Sequence, residues 1–324
     1  MNPYVLRFRP VLKQTIWGGR RLGERLGKPI GPESNYAESW EIVDHGDDQS
    51  IVTSGSLEGC TLAELAKQHG EWLLGKKTGQ QDSKQFPLLL KYLDCNRVLS
   101  VQVHPDDRYA MAMEKPDRGK TEAWYIVAAE KDSLVYAGLK TGVDQQTLSE
   151  AMMAGQTDEV LHSFHPQPGD CVFIPSGTVH ALGAGLLVAE IQQSSDTTFR
   201  LFDWNRVDEQ GNARPLHIKE SLAVSDYETG PIKPQRSDYE QQGWQTLATC
   251  DKFVFRSLEN GVATLGGDQR FHILTVPRGG ASIESGGVYE EIKTGESVLL
   301  PAAHPEVKVA VAPESTLLEA HLPA

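Results

Sequence analysis

Alternating apolar and polar residues predict two strands that face a common polar interior. In LSVQVHPDD (residues 99–107) and GKTEAWYIV (residues 119–127), successive side chains of an extended chain point to opposite faces, so each segment has an apolar and a polar row. The polar rows are Ser100, Gln102 and His104 in the first segment and Lys120 and Glu122 in the second. Because each polar row is backed by apolar residues, we expect the two rows to line one polar cavity.

The rest of the pattern predicts mainly strands with a few short helices. The predicted strands are residues 4–12, 37–44, 86–94, 171–174 and 187–206, and short apolar runs continue from residue 253 to the end. The predicted helices are residues 21–26, 61–75, 145–153 and 217–227. The helix over residues 61–75 has the clearest start, because Thr61 and Glu64 form a capping box.

Two further residues are candidates for the cavity. Lys91 interrupts the apolar strand FPLLLKYLD, and a buried ammonium is costly unless it is paired or reaches a wet cavity. We therefore expect Lys91 to point into the cavity that Ser100 and Lys120 line. Trp17 stands beside two glycines, where it forms either a wall of a ligand site or a cover over a core edge.

A third segment, GDCVFIPSGTVH (residues 169–180), carries the glycine, proline, glycine and histidine spacing typical of cupin β-barrels. Pro175 fixes φ and Gly177 permits the turn that returns the next strand with His180 toward the barrel interior. The fold class predicted is mainly β, with two cupin-like barrels and a few short helices.

The segment LVAEIQQSSDTTFRLFDWNR (residues 187–206) is predicted to form two strands around a turn. Glu190 lies in the first strand and Arg200 in the apolar second. An unpaired guanidinium would be costly there, so Arg200 must meet an anion. The anion is either a ligand in the active site or a carboxylate in a salt bridge, for which Asp196 and Asp203 are the candidates.

Composition restricts the partners and the compartment. The chain has 324 residues and a net charge of −13, so nucleic acid is excluded as a partner, while a small anionic substrate remains possible. The four cysteines form no CxxC pair, which indicates a reducing compartment. No signal peptide or spanning segment is evident. We expect a soluble cytoplasmic protein that binds no membrane; the pattern does not determine its oligomeric state.

Length and a weak internal repeat predict two domains. Residues 1–243 are expected to form the metal-binding domain with helical additions, and residues 244–324 a second cupin-like domain. The segment at residues 293–306 echoes that at 167–180, but Ala303 and Glu306 replace Gly177 and His180. We therefore expect the C-terminal domain to lack the metal site.

Two imidazoles, a carboxylate and an amide oxygen are a ligand set that suits zinc or another first-row divalent ion. The predicted ligands are Gln102, His104, Glu122 and His180, which together hold one Zn²⁺ per chain. The other histidines lack this setting and are interpreted as surface or structural: His45, His69, His162, His165, His217, His272, His304 and His321.

Six motifs in this order resemble the type I mannose-6-phosphate isomerases of the cupin superfamily, in their short bacterial form. The motifs are IWGG, FPLLLKYLD, VLSVQVHPDD, GKTEAWYIV, GDCVFIPSGTVHAL and EIQQSSDTTFRLFDWNR. The chain lacks the large helical insert of the long members, and Ala184 stands where many cupins have asparagine.

The resemblance implies a zinc ion on the four predicted ligands and interconversion of mannose 6-phosphate and fructose 6-phosphate through a cis-enediolate. It implies Arg200 as a catalytic residue and a substrate-facing set of Trp17, Lys91, Ser100, Lys120, Glu190 and Asp196. Glu190, Lys120 or a metal-bound water is the candidate for proton transfer, and Arg200 either stabilises the enediolate or binds phosphate. The alternatives are another metal-dependent cupin enzyme, an epimerase or an oxygenase, and a catalytically silent sugar-phosphate sensor.

Overall fold

A computed structural model of the chain describes residues 2–76, 85–207 and 210–324. Its helices are α1 (Arg21–Leu26), α2 (Leu62–Gln68), α3 (Gly70–Leu74), α4 (Asp107–Met111), α5 (Gln145–Ala154) and α6 (Ile218–Val224), with one 3-10 turn at Thr157–Val160. None of the helices in these ranges is long and apolar enough to span a lipid bilayer.

Strands make up most of the regular structure. Those before residue 243 are β1 (Leu6–Arg9), β2 (Val11–Gly19), β3 (Tyr36–Ile42), β4 (Asp44–His45), β5 (Asp48–Gln49), β6 (Ile51–Val52), β7 (Leu88–Cys95), β8 (Val101–Val103), β9 (Glu122–Ala129), β10 (Val135–Leu139), β11 (Leu161–Phe164), β12 (Asp170–Ile174), β13 (His180–Leu182), β14 (Leu186–Gln193), β15 (Phe199–Phe202) and β16 (Gln235–Arg236). Those after it are β17 (Gln245–Thr249), β18 (Val254–Leu258), β19 (Val262–Leu265), β20 (His272–Arg278), β21 (Gly280–Ser285), β22 (Val288–Lys293), β23 (Ser297–Leu300), β24 (Val307–Val311) and β25 (Thr316–His321). The prediction of a mainly β fold with a few short helices is confirmed.

Two sheets form the first cupin-like unit. One has seven strands in the order β16-β12-β9-β14-β7-β3-β2, and the other has five in the order β11-β10-β13-β8-β15. Apolar side chains from both sheets, among them Trp124, Val135 and Val188, form one buried cluster between them. The predicted alternation is confirmed for β8, whose Val101 and Val103 are buried. The sheets face each other as a cupin-like sandwich without closing into a barrel.

A second pair of sheets holds the C-terminal part of the chain. A seven-stranded sheet in the order β17-β18-β25-β20-β23-β1-β6 faces a four-stranded sheet in the order β19-β24-β21-β22, around its own apolar cluster. Strand β1 is antiparallel to β23, with Leu6 opposite Leu299, so the N-terminal strands β1 and β6 complete the C-terminal sheet. The division near residue 243 stays a prediction. Strands β1 and β6 precede that residue in the chain but belong to the C-terminal sheet.

The contact between the two units is the largest apolar cluster. It joins Tyr92 and Tyr125 of the first unit to Phe253, Phe255 and Phe271 of the second, and α1 to α3 pack against it. A buried ion pair adds to the contact, since Lys28 Nζ lies 2.6 Å from Glu41 Oε2 and also donates to the carbonyl of Gly295. One face of the sheet β16-β12-β9-β14-β7-β3-β2 is therefore covered by the second unit. Only its other face, which lies toward the five-stranded sheet, is available for a functional site.

The helices differ from the prediction at two points, one of which is α4, where the pattern predicted no helix. The helix predicted over residues 61–75 is broken into α2 and α3, because His69 has a non-helical backbone and Gly70 is a poor helix former. The capping box is confirmed: Thr61 Oγ1 accepts from the Glu64 amide at 3.2 Å, and Glu64 Oε2 accepts from the Thr61 amide at 2.8 Å. The helical turn at residues 21–26 and the helix from Gln145 are present as α1 and α5.

Candidate active site

Strand register brings three predicted residues side by side on the five-stranded sheet. Strand β8 lies between β13 and β15, and Gln102 at its centre pairs with His180 on one side and Arg200 on the other. Side chains directly opposite one another in adjacent strands share a face. The amide, the imidazole and the guanidinium therefore belong to one face, which is the interior of the sandwich.

The facing seven-stranded sheet supplies the carboxylates and one lysine. Glu122 begins β9 and pairs with Gln192 of β14. Glu190 lies two residues earlier in β14 and pairs directly with Lys91 of β7. Because two residues is the repeat of a strand, Glu190 projects to the same side as Gln192.

The turn that delivers His180 packs tightly against His104. Gly177 has φ 86°, a conformation that favours glycine, and its amide donates a 2.8 Å hydrogen bond to the carbonyl of His104. A Cβ at Gly177 would lie 3.0 Å from the carbonyl oxygen of Val224. The Pro-Ser-Gly turn thus fixes the separation of the two histidines.

His104, Glu122 and His180 form a compact buried trio. His104 Nε2 lies 3.6 Å from Glu122 Oε2, and His180 Nε2 lies 3.4 Å from Glu122 Oε1. Each imidazole uses Nδ1 on a main-chain carbonyl, that of Thr197 at 2.9 Å and that of Thr178 at 2.8 Å. Since Nδ1 then carries the proton, both Nε2 lone pairs face the same carboxylate.

Two lysines lie next to the carboxylates of the site. Lys120 Nζ lies 2.6 Å from Glu122 Oε2, 3.1 Å from His104 Nε2 and 3.5 Å from Glu190 Oε1. Lys91 Nζ lies 3.3 Å from Glu190 Oε1 and 3.4 Å from Glu38 Oε2. Lys91 lines the same cavity as Ser100 and Lys120, and its role toward a substrate stays a prediction.

Burial sets the protonation of the imidazoles. Burial, assisted by Lys120, lowers the pKa of His104 well below its usual value. Burial likewise lowers the pKa of His180 to about 3, although its bond to Thr178 acts in the opposite direction. Both rings are therefore neutral near pH 7, which is the form that ligates metals.

Burial also affects the charged residues around the trio. Burial and then Glu122 raise the pKa of Glu190, against the opposing effect of Lys91 and Lys120. For Lys91, burial alone would lower the pKa, but Glu190 and Glu38 raise it well above its usual value. Lys91 is thus a fixed cation that faces Glu190.

A cavity of about 340 Å³ opens above the trio. Eight of the eleven predicted site residues line it: Trp17, Lys91, Ser100, Gln102, Lys120, Glu190, Asp196 and Arg200. The remaining three, His104, Glu122 and His180, lie beneath Lys120. The structure therefore brings all eleven predicted residues to one place.

Arg200 lines the cavity and lies beside Gln102 on the five-stranded sheet. Its Nε donates to Ser100 Oγ at 3.3 Å, and a terminal nitrogen donates to the carbonyl of Pro215 at 3.1 Å. Among the described residues no carboxylate lies within ion-pair distance of its guanidinium. The salt-bridge alternative for Arg200 is not formed, because Asp203 pairs instead with Arg206 and Arg214.

Sequence reasoning missed four polar or charged residues that also line the cavity, Thr15, Glu38, Thr198 and Arg214, and four apolar ones: Leu93, Leu99, Trp124 and Leu182. Glu38 lies in a strand with recognisable alternation, and its partner Lys91 was itself a candidate, so the pair could have been inferred. Arg214 lies in a segment without periodicity, and no signal in the sequence places it at the cavity.

The residues present fit a divalent metal ion. His104, Glu122 and His180 offer ligand atoms that all lie within 4.8 Å of one another, and each residue is buried. His180 Nε2 is buried and has no hydrogen-bond partner among the described residues. A buried polar atom without a partner is costly, and a bound cation would satisfy it.

The chain is similar to known proteins over most of its length. A model of the phosphomannose isomerase type I catalytic domain matches residues 5–137. The mannose-6-phosphate isomerase ManA of Bacillus subtilis is 37% identical over 315 residues, 95% of this chain and 96% of that protein. The mannose-6-phosphate isomerase of Streptococcus mutans is 40% identical over 213 residues, 66% of this chain and 65% of that protein.

A solved structure supports the same relationship. The crystal structure of the mannose 6-phosphate isomerase from Bacillus subtilis superposes with a TM-score of 0.87 at 32% identity, covering 98% of this chain and 99% of that one. The two chains therefore share the fold over nearly their whole length, including the sheets that carry the trio and the cavity.

Proposed function

The chain belongs to the type I phosphomannose isomerase family, and we propose that it interconverts mannose 6-phosphate and fructose 6-phosphate in a metal-dependent reaction. The metal proposed is one Zn²⁺ per chain, held by His104, Glu122 and His180 with Gln102 as a further ligand. The family itself is shown by relatives that match almost the whole chain.

One observation carries the metal dependence. Both imidazoles of the trio have Nδ1 occupied by a main-chain carbonyl and Nε2 directed at Glu122. Such orientation of histidines by an outer hydrogen bond is characteristic of metal ligands. Gln102 pairs with His180 across the strands and is therefore placed to add an amide oxygen.

The residues above the trio support proton transfer between C1 and C2 of the sugar. A divalent ion at these ligands would supply the positive charge that polarises the carbonyl and stabilises a developing enediolate oxyanion. Glu190 faces the cavity between Lys91 and Lys120, at 3.3 and 3.5 Å from their nitrogens. We assign Glu190 to accept and return the proton, with Lys120 as the neighbouring cation that can donate to the substrate oxygen.

One group of residues in the cavity suits the phosphate. Arg200 has no carboxylate partner in the described structure, donates to the Ser100 hydroxyl and lies near Arg214. A planar guanidinium with free donors binds phosphate oxygens in pairs. Arg200 and Ser100 are therefore assigned to the phosphate, while Trp17 and Asp196 also line the cavity and are assigned to the substrate.

An assay of isomerisation with and without a chelator tests the proposal. Loss of activity on chelation, with recovery on adding Zn²⁺, is the expected result. A chelated protein that keeps full activity would contradict metal dependence. A zinc-loaded protein that binds the sugar phosphate without converting it would identify a sensor, and conversion to another product would identify a different cupin enzyme.

Two coarser expectations accompany this function. We propose that residues 244–324 form a supporting domain that lacks the substrate cavity's metal site, because β23 and the turn after Pro301 repeat β12 and its turn with Glu306 at the position of His180. We also propose a cytoplasmic location, supported by four free cysteines: Cys60, Cys95, Cys171 and Cys250.

A further inference from the structure

A second buried cluster of ligand-type side chains lies in the C-terminal sheet. His272 is the first residue of β20 and His321 the last residue of the adjacent β25, and their rings lie 5.3 Å apart. Glu319 precedes His321 by two residues and so shares its face. The exposed fractions are 2% for His272, 0% for Glu319 and 6% for His321. Of the two interpretations given for these histidines, surface or structural, burial leaves the structural one.

The three side chains converge on one carboxylate oxygen. Glu319 Oε1 lies 2.6 Å from His272 Nδ1 and 2.8 Å from His321 Nδ1. All three ligand atoms lie within 4.8 Å of one another, as they do in the trio of the active site. Two histidines and a carboxylate therefore meet twice in this chain, in two different sheets.

Outer contacts fix the orientation of two of the three groups. Asp268 Oδ1 lies 3.1 Å from His272 Nε2, which leaves Nδ1 directed at Glu319. Arg256 Nε donates to Glu319 Oε2 at 2.8 Å, so the other oxygen faces the histidines. A carboxylate on the far nitrogen of a histidine is the arrangement that orients metal-ligating imidazoles.

We propose that His272, Glu319 and His321 form a second binding site for a first-row divalent metal ion such as Zn²⁺. Two imidazole nitrogens and one carboxylate oxygen are ligands that zinc prefers, and three protein ligands leave a position for water. The site is independent of the function proposed for the trio, and its role is structural. It would hold together the adjoining ends of β20 and β25. Phe271 and Ala320, next to the proposed ligands, belong to the apolar contact between the two units.

The charges around the site favour a cation. The groups that face His272 are Glu319 and His321 on β25, Arg256 on β18 and Asp268 on the preceding loop. Glu319 and Asp268 supply two negative charges against the one positive charge of Arg256, so with neutral imidazoles the cluster has an excess negative charge that a bound cation would balance.

The sequence echo did not point to this site, because none of its residues falls in the segment at 293–306. Asp268, whose side chain is about 40% exposed, marks the side from which an ion can enter. The direct bonds of 2.6 and 2.8 Å describe the protonated cluster, in which histidine and carboxylate share hydrogen bonds. The ion would replace those bonds with coordination to the same three atoms.

Zinc stoichiometry of the full chain tests the proposal. The protein is stripped with a chelator, reloaded with Zn²⁺ at pH 8, freed of unbound metal and analysed for zinc per chain. We expect His272→Gln/His321→Gln to hold one zinc fewer than the parent. We expect His104→Gln/His180→Gln, which removes the ligands of the first site, to retain one zinc. His304→Gln is the matched control, because His304 is a buried histidine of the same domain outside the cluster, and it should bind as the parent does.

Two results would overturn the second site. One is a His272→Gln/His321→Gln protein with the same zinc content as the parent, and the other is a His104→Gln/His180→Gln protein that retains none. Either result would show that His272, Glu319 and His321 form an ion-pair network that binds no metal ion. Failure of the first site instead appears as an unchanged zinc content in His104→Gln/His180→Gln, so the two proposals fail separately.

A second measurement keeps the cluster intact in case its variant does not fold. The melting temperature of His104→Gln/His180→Gln protein is measured with and without Zn²⁺ at pH 8. A rise of several degrees with zinc is expected, since a ligand that binds only the folded state stabilises it. An unchanged melting temperature on adding Zn²⁺ would contradict the proposed second site.

Discussion

Asp117 accepts a hydrogen bond from the Thr197 hydroxyl at 2.7 Å. The carbonyl of the same threonine lies 2.9 Å from His104 Nδ1, so Asp117 acts on a proposed metal ligand through one intervening residue. Asp117 also accepts from Ser195 Oγ at 2.9 Å and from the Arg118 amide at 2.8 Å. These hydrogen bonds connect the loop between β14 and β15 to the loop before β9.

We predict that Asp117→Ala weakens zinc binding at the first site about tenfold, because loss of an outer partner typically costs 10- to 100-fold in metal affinity. Competition with a chromogenic chelator measures the affinity on the folded protein. Asp144→Ala is the control, since Asp144 only caps α5, where it accepts from the Thr147 amide at 2.8 Å. Equal zinc affinity in both variants would show that Asp117 does not position His104.

Glu190→Gln should reduce turnover by a factor of about 10² to 10⁴, the range that a general base contributes, with little change in zinc content. The amide keeps the shape of the carboxylate but accepts no proton. Steady-state kinetics measure the loss, and kcat/KM must fall by the same factor in the aldose and ketose directions because the variant leaves the overall equilibrium constant unchanged.

Glu38→Gln is the comparison for Glu190. Glu38 also faces Lys91, at 3.4 Å, so the variant removes a charge from Lys91 without removing the proposed base. A much smaller loss of turnover is expected. If Glu38→Gln were as damaging as Glu190→Gln, charge balance at Lys91 would explain both results and the assignment of Glu190 would fail.

Local alternation was sufficient to predict much of the site. The period of two placed Ser100, Gln102, Lys120 and Glu122 on their faces, because each strand has an apolar row that must be buried. His180 was predictable for a different reason: the turn before it requires proline and glycine at fixed positions. Both signals depend only on residues close together in the chain, and the structure has the strands and the turn that they predict.

The remaining features depend on which segments become neighbours, and alternation does not specify this. Arg214 reaches the cavity because Asp203 holds it there, 2.7 Å from Arg214 Nε, from a segment with no periodicity. His272 and Glu319 are 47 residues apart and meet only because β20 pairs with β25. The crossing of β1 into the C-terminal sheet likewise follows from pairing with β23, which no residue pattern in β1 indicates.

Arg200→Ala should lower kcat/KM for mannose 6-phosphate on the order of a hundredfold, about 3 kcal/mol. Arg200→Lys should recover little of the loss, because it keeps the charge but not the planar pair of donors. If the guanidinium binds phosphate, the loss for unphosphorylated mannose should be far smaller. Kinetics with both sugars, together with zinc content and melting temperature, make the comparison.

Arg236→Lys serves as the control for Arg200, since Arg236 pairs with Asp170 on a strand edge outside the cavity. It should leave both sugars unaffected. An equal loss for mannose and mannose 6-phosphate in Arg200→Ala would instead place the arginine at the reacting carbons. A folded, zinc-loaded Arg200→Ala protein with normal kinetics would exclude both roles.

The last prediction concerns the stability of the metal-free protein between about pH 6.5 and pH 9. The pKa of His272 is raised from 6.5 to about 9 in the folded state, where Asp268 and Glu319 accept from it. Below pH 6.5 both the folded and the unfolded chain hold the proton, and the stabilisation is complete. As the pH rises toward 9 the unfolded chain has lost the proton while the folded chain retains it, so the free energy of unfolding falls. Full loss would amount to roughly 3 kcal/mol.

Urea unfolding of the chelated protein at pH 6.5 and pH 9 measures this change, and His272→Gln provides the reference. Other groups titrate in the same window, among them His45, whose pKa is raised by its hydrogen bond to Asp117 against the effect of burial. The prediction is therefore the difference between two slopes: the parent should lose more stability than His272→Gln over this interval. Saturating Zn²⁺ should reduce that difference, because an ion on His272, Glu319 and His321 replaces the proton whose loss destabilises the metal-free fold. Parallel slopes in the chelated proteins would show that His272 carries no proton of its own in the folded state.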